Sequence, residues 1–395
     1  MNQNLNSYCI IGIMSGTSLD GMDAVLAHMH PKEEGGYRVA QLHHLHREFS
    51  SKEQFWIKDL IQSKDLHHAA QLSQLWSIWA TELVEGLLKH TRTRANDVFC
   101  LGVHGQTLAH YPKPQMVLDH ACRFTIQVAN LSHLAQKTGI TTVGNFRQRD
   151  VVEGGQGAPF VPHAHRVLFG EPDQTIAIQN LGGVSNLTLI DKGYIPMAFD
   201  TGPANMWMDI VLRWHTKSEQ RFDKDGELAR KGKPDMNLVN NLLMHEYFNE
   251  APPKSTGWED FGEDYLSQFR NEILSLSLED AASTMAHTTA HTLARAYQKF
   301  IFPCYPKLSK IVLCGGGAKN TYFREILETL FPDQEIAVSS DYGIPVDQVE
   351  ALSFGILGMD LLQGRCNNVS QATGAACDCL CGEIALGRYR AFHFE

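Results

Sequence analysis

Apolar and polar positions along this chain fall into strand-like and helix-like stretches, and the series runs twice. Tyr8–Met14 is almost continuously apolar. It turns through small, hydroxylated and glycine residues into a second apolar run, Met22–His28, which predicts a hairpin. Residues 39–49, polar at alternate positions, predict a third strand. Leu72, Leu75, Trp79, Leu83 and Leu87 recur at three- and four-residue spacing and predict a long helix over 67–90. A strand follows at 97–103, ending in HGQT. A short helix near 129–139 then leads into a strand at 141–146. The second half restarts with TIAIQN (175–180), the turn LGG and VSNLTLI (184–190), another hairpin. A strand IPMAFDTG, a helix over 203–216 and helical stretches at 236–248 and 281–302 come next. Finally IVLCGGG reads as a strand entering a glycine turn before a helix at 321–331. A unit repeated with a glycine-turned hairpin at its start predicts two α/β domains facing a cleft, with ligands where turns and strand ends converge.

Composition adds limits. Over 395 residues the chain is 43% hydrophobic and 20% charged, ordinary for a globular protein of one large or two smaller domains. A formal net charge of −10 without a long basic run argues against a nucleic-acid partner. The first residues lack a charged n-region, and no stretch reaches 18 uncharged apolar residues, so a cytoplasmic protein without a membrane span is expected. Nine cysteines, several inside apolar strands, read as reduced thiols. The tract CDCLC (377–381) could hold a soft metal, but it lacks the two-residue spacing and second pair of a zinc site. HTTAH (287–291) lacks the glutamate of a zinc protease, and the histidines of HHLH (43–46) are expected to face solvent.

Four segments could carry chemistry. MSGTSLDGMD (14–23) has neither the lysine of a P-loop nor a following helix, and it is not G-x-S-x-G. What remains is a hairpin turn whose backbone N–H groups and Thr17 and Ser18 hydroxyls could cradle phosphate, with Asp20 and Asp23 tolerable if Mg²⁺ lies between. Alone, an ordinary hairpin explains it slightly better. CGGGAKN (314–320) allows close backbone approach to a nucleotide, or is simply a tight turn. In AFDTGPANMWMD (198–209), Asp200 follows an apolar strand and suits a general base; helix capping by Thr201 or Asp200 is the plainer reading. GNFRQRDVVEGGQGAPFVP (144–162) carries Arg147, Arg149 and a flexible glycine loop; its arginines suit a carboxylate or phosphate, or sit in a solvated loop with salt bridges.

Taken together and in order, MSGTSLDGMD, HGQT, FRQRD with GGQGAP, FDTGPAN, PKSTG (253–257), CGGGAKN and DYGIP with Glu350 resemble the anhydro-N-acetylmuramic acid kinase family, over residues 14 to 350. The resemblance implies two duplicated actin-like ATPase (ribonuclease H-like) domains flanking an active-site cleft, here expected as 1–145 plus 375–395 and 146–374. It implies that water opens the 1,6-anhydro ring of anhydro-N-acetylmuramic acid while the ATP γ-phosphoryl passes to O6, giving N-acetylmuramic acid 6-phosphate and ADP in cell-wall recycling. Asp200 would be the general base. Gly16, Thr17, Ser18, Leu19, Asp20, Gly21, Met22 and Asp23 would bind the ATP phosphates, and Gly315, Gly316 and Gly317 would sit at the nucleotide. His104, Gln106, Arg147, Arg149 and Glu350 would line the sugar side, an arginine meeting the lactyl carboxylate. Mg²⁺ would lie near Asp20, directly or through water, and the protein would form a homodimer. Three positions depart from the pattern: Asn145 and Ala204 stand where the family favours aspartate and glycine, and Ser15 where the wider superfamily keeps an acid. Competing readings are a kinase of another amino sugar, and a non-catalytic ATP-dependent sensor or assembly protein.

Overall fold

The computed structural model describes residues 7–16, 19–33, 35–217, 219–220 and 222–388. The chain divides into two compact units, Met1–Phe169 with Gln348–Glu395, and Gly170–Asp347.

In the first unit, β1 (Tyr8–Met14), β2 (Gly21–Pro31) and β3 (Tyr37–Glu48) form an antiparallel meander. β4 (Cys100–Val103) lies parallel to β1, β7 (Thr142–Gly144) parallel to β4, and β13 (Glu383–Ala385) closes the edge antiparallel to β7. The sheet order is β13-β7-β4-β1-β2-β3. A separate ribbon, β5 (Gln106–Val117) and β6 (His120–Val128), leaves the end of β4. Alternation along β1 divides its side chains between two faces. Ile11 and Ile13 join Leu72, Trp76, Leu83 and Leu134 from α2 (Leu66–Thr91) and α3 (Leu131–Thr138), with Ile57 and Leu60 of α1 (Ser51–Ser63). The other face takes α13 (Val349–Leu362). That helix lies on the sheet so closely that a Cβ on Gly12 or Gly102 would run into the backbone oxygens of Ala351 and Phe354. Two short helices, α4 (Arg147–Val152) and α5 (Val161–Phe169), complete the unit, with α14 (Ser370–Thr373) near its end.

In the second unit, β8 (Thr175–Leu181), β9 (Val184–Asp191) and β10 (Tyr194–Pro203) are antiparallel neighbours, and β11 (Lys310–Cys314) and β12 (Glu335–Val338) continue parallel to β8. The order β10-β9-β8-β11-β12 repeats the third-second-first-fourth-fifth arrangement of β3-β2-β1-β4-β7. α6 (Asn205–Thr216), α7 (Met236–Leu242), α11 (Leu278–Ala296) and α12 (Thr321–Leu330) supply its core, including Trp207, Leu238 and Leu293; α8 (Trp258–Phe261), α9 (Glu263–Ser267) and α10 (Arg270–Ser275) are short. The duplicated α/β layout is therefore present.

Several expectations shift. The unit boundaries fall at 169/170 and 347/348, not 145/146 and 374/375, because α5 and α13 pack with the first sheet and α4 with the β5–β6 ribbon. The strand expected at 97–103 starts only at Cys100, after a tight helical turn at Ala95–Asp97. The helix expected over 236–248 ends at Leu242. α11 begins earlier, where Ser277 accepts from the Asp280 N–H at 3.1 Å, and its last turn widens over Tyr297–Ile301. Among the elements with no counterpart in the sequence reading, such as α1, α4, α5 and β12, two are the most telling: the β5–β6 ribbon, interrupted by Pro112 and Pro114, and α13, whose near-total burial removes the amphipathic period.

Candidate functional site

The first hairpin turn is held from behind. Ser15 is buried, and its hydroxyl accepts from Trp76 Nε1 at 2.9 Å and donates to the Gly105 carbonyl at 3.2 Å. That hydroxyl is committed to the protein, so the acid missing at this position is not replaced by Ser15. Gln106 Nε2 donates to the Gly16 carbonyl at 3.3 Å, while its buried Oε1 has no partner among the described residues. The chain then reverses through Leu19, buried at φ 56°, and the Asp20 side chain accepts from the Gly21 N–H at 3.1 Å. Thr17 and Ser18 lie outside the described residues. Met22 is buried beneath the hairpin.

Asp20 and Asp23 differ in surroundings. Asp20 is exposed at the turn. Asp23 is half-buried, and its Oδ1 lies 2.7 Å from His44 Nε2 and 2.9 Å from His46 Nδ1. The two imidazoles hold its carboxyl below the usual range against the opposing effect of burial, which is the largest single influence. His44 and His46 therefore clasp a carboxylate and do not simply face solvent as expected. Asp20, an exposed hard oxygen donor, fits Mg²⁺ better than the histidine-bound Asp23.

HGQT and FRQRD meet at Arg147. His104 is buried, and its Nε2 accepts from Arg147 Nε at 3.2 Å and Nη2 at 3.0 Å. Arginine has no acceptor, so the network assigns the proton to Nδ1, which donates to the Ser15 carbonyl at 3.3 Å. Burial first, then Arg147, push the His104 pKa down to about 3. Burial depresses Arg147 as well, while Glu350 and Asp150 pull it back. Glu350, in the first turn of α13, keeps solvent-accessible surface, yet the protein crowding its carboxyl raises its pKa. Arg147 opposes that rise, and Asp23 and Asp20 add to it. So Arg147, His104, Gln106, Glu350 and the hairpin form one electrostatically coupled group. Arg149 does not join it: its Nη1 bonds the Leu380 carbonyl at 2.5 Å.

The glycine loop at 154–157 is tied down, contrary to the flexible segment expected. Buried Asp150 accepts from the Gly157 N–H at 2.8 Å, from Asn368 Nδ2 at 2.8 Å and from the Thr373 hydroxyl at 2.6 Å. Arg147 Nη1 and Arg123 Nη1 donate to the Gly157 and Gly154 carbonyls, each at 2.6 Å. Asn145 takes φ 52°, a region asparagine tolerates, and donates to Glu383 Oε1 at 2.7 Å.

In the second unit, Asp200 sits on β10 beside a bulge in its pairing with β9. Its Oδ2 accepts from the Thr256 N–H at 3.0 Å, its carbonyl accepts from the Tyr247 hydroxyl at 2.6 Å, and its N–H donates to the Lys254 carbonyl at 3.2 Å. The PKSTG segment thus wraps the carboxylate. Lys254 and Thr256 belong to that motif, and nothing in the sequence marks either for the Asp200 site. Lys254 donates to the Tyr247 carbonyl at 2.8 Å, and burial lowers its pKa to about 8. Neither Asp200 nor Thr201 caps α6. The strand runs on to Pro203, and the first N–H groups of the helix bond the Gly182 and Gly183 carbonyls of the LGG turn.

Gly315 (φ 81°) leaves β11 with no room for a side chain: a Cβ would stand 2.8 Å from the Leu181 carbonyl oxygen. Beyond it Gly316 is open, and Gly316 and Gly317 line a cavity of about 530 Å³ within this unit. Asn205, Met208, Phe222 and Asp209 line it too, and burial raises the Asp209 pKa to about 7 against Arg213. The capped helix α12 starts one short helical turn later, at Thr321, with Asn320 accepting from the Phe323 N–H at 2.9 Å.

A sheet order repeated in two units, each opening with a glycine-turned hairpin, defines the class: a duplicated α/β scaffold of the ribonuclease H-like type. Within that class, the chain belongs to the anhydro-N-acetylmuramic acid kinase family, which it matches over residues 8–387. It is 36% identical over 393 residues to the anhydro-N-acetylmuramic acid kinase of Caldanaerobacter subterraneus subsp. tengcongensis, covering 97% of this chain and 98% of that one. To the enzyme of the same name from Salinibacter ruber it is 34% identical over 391 residues, covering 95% and 96%. Among solved structures, the ADPNP-bound activator of 2-hydroxyisocaproyl-CoA dehydratase from Clostridium difficile aligns with 90% of this chain and 96% of that one, at 12% identity and TM-score 0.43, too loose a likeness to argue from. The chain is a kinase, a phosphotransferase with an alcohol acceptor. No helix among the described residues is long and apolar enough to cross a membrane.

Proposed function

We propose that this kinase uses ATP to convert 1,6-anhydro-N-acetylmuramic acid and water into N-acetylmuramic acid 6-phosphate and ADP. The observation that carries the reading is Asp200, a carboxylate at a bulged strand, oriented by the Thr256 N–H at 3.0 Å. A fixed carboxylate can take a proton from water as that water attacks the anomeric carbon, and the ring bond to O6 breaks in the same event. O6 then accepts the γ-phosphoryl, a step that depends on positioning and charge neutralisation more than on covalent work by the protein.

Gly16 to Asp23, Thr17 and Ser18 included, bind the ATP phosphates in this reading, and Gly315–Gly317 meet the nucleotide at the cavity that Gly316 and Gly317 line. Mg²⁺ supplies charge neutralisation at the phosphates, and Asp20 is the carboxylate that would hold it. His104, Gln106, Arg147, Arg149 and Glu350 serve the sugar. Arg147 is favoured over Arg149 for the lactyl carboxylate, since it belongs to the group with His104 and Glu350, whereas Arg149 bonds the Leu380 carbonyl outside it. The site of action is the cytoplasm, within peptidoglycan recycling, and the assembly is a homodimer.

The test is ADP release measured with anhydro-N-acetylmuramic acid, N-acetylmuramic acid and N-acetylglucosamine in turn. Turnover with the anhydro sugar is expected to exceed that with either plain sugar. Turnover with the plain sugars and none with the anhydro sugar would sink the proposal.

A further inference from the structure

The pairing of β2 with β3 sets Asp23 opposite His46 and Val25 opposite His44. Side chains alternate across a sheet, so residues 44 and 46 share a face with residue 23. β3 is the edge strand, and the three side chains are 34%, 22% and 40% exposed for Asp23, His44 and His46. Both imidazoles converge on the same oxygen, Asp23 Oδ1, at 2.7 and 2.9 Å. The His46 ring lies over Gly21, in space that a Cβ would need. The two rings are tilted at 42° with centroids 6.5 Å apart, so they flank the carboxylate without stacking on each other. Among the described residues this is the one His/Cys/Asp/Glu group whose ligand atoms gather, all within 4.8 Å of one another.

We propose that Asp23, His44 and His46 form a binding site for one borderline divalent cation of the Zn²⁺ class. Ligand atoms about 2.0–2.2 Å from such an ion stand about 3–3.5 Å from one another; the two Asp23–histidine spacings, 2.7 and 2.9 Å, are near that, and all three ligand atoms lie within 4.8 Å of one another. Two imidazole nitrogens and one carboxylate oxygen suit Zn²⁺, Co²⁺ or Ni²⁺, whereas Mg²⁺ takes oxygen donors and gives up water reluctantly. Three protein ligands on one open face leave the remaining positions to water. Each imidazole would enter such a site through the nitrogen that faces Asp23, with its proton on the other ring nitrogen. The inference stands on side-chain geometry; it shares Asp23 with the proposed phosphate hairpin, and its test reads metal binding and not turnover.

The experiment is calorimetric titration of the full-length protein with ZnCl₂ in excess Mg²⁺, paired with the visible spectrum of the Co²⁺ form. The expected result is one ion per chain, with affinity falling on the order of 100-fold in the His44→Ala/His46→Ala double variant. The Co²⁺ spectrum is expected to lack a thiolate charge-transfer band. An unchanged titration in the double variant would overturn the proposal, and so would a thiolate band that survives in it, which would move the ion to Cys377–Cys381. If circular dichroism shows the alanine variant unfolded, His44→Gln and His46→Gln carry the same test, since glutamine can still hydrogen-bond Asp23 but ligates poorly.

Discussion

At Asp200 the surroundings determine what a substitution does. Asp200→Asn keeps size and one acceptor for the Thr256 N–H but loses the basic oxygen. Turnover is expected to fall on the order of 10² to 10⁴, the usual worth of a positioned base, with ATP binding retained. Single-turnover kinetics beside a nucleotide-binding titration checks both halves, and unchanged turnover would remove Asp200 from its role. A second residue-scale effect comes from buried imidazoles. Burial takes the pKa of both His104 and His165 down to about 3. An unfolded histidine titrates near 6.5, so between about 6.5 and about 3 the unfolded chain binds protons that the folded chain refuses. Stability contributed by the neutral rings is thus full above 6.5 and is lost as pH falls, by up to about 1.4 kcal/mol per pH unit for each group. Denaturant unfolding at successive pH values is expected to show that slope, and His165→Asn to reduce it. A slope identical in the variant would show that His165 does not contribute.

Among elements, α13 has the tightest fit. Its Ala351 and Phe354 carbonyls lie where Gly12 and Gly102 have no side chain, and Gly355 and Gly358 answer from the helix. Backbone cannot yield as the tip of a flexible side chain can. Gly12→Ala or Gly102→Ala is expected to lift the helix from the sheet and cost about 3 kcal/mol, measured by denaturant unfolding. A cost near zero would mean that the contact relaxes freely. This helix was also illegible beforehand. VEALSFGILGMDLL is apolar on nearly all sides, so no period marks it, whereas α2 showed its three- and four-residue spacing plainly. The β5–β6 ribbon was hidden for another reason: prolines interrupt the alternation that marks a strand.

For the whole molecule, the way the chain is divided has a consequence. The second unit is one continuous segment, Gly170–Asp347, with its own buried core around Trp207, Phe199 and Leu313. The first unit is completed only by Gln348–Glu395, which brings α13 onto β1 and β4. A fragment of residues 170–347 is therefore expected to unfold cooperatively by circular dichroism. A fragment of residues 1–169 leaves one sheet face without its helix and is expected not to. Cooperative unfolding of both fragments would show that α13 is dispensable.

The sequence alone determined what depends on local order. The two glycine-turned hairpins, the long amphipathic helix and the ordered motifs that indicate the family all follow from spacing along the chain. It did not determine which motif residues meet, because that depends on partners far away in sequence. Ser15 is committed to Trp76 and Gly105, Arg147 to His104 and Gly157, and Arg149 to Leu380. The open question between Asp20 and Asp23 belongs to the same kind. Strand register put His44 and His46 on Asp23 and left Asp20 exposed at the turn. Hydrophobic period is a property of neighbours in the chain, but a carboxylate's partners are fixed by pairing between strands, and only the tertiary structure decides them.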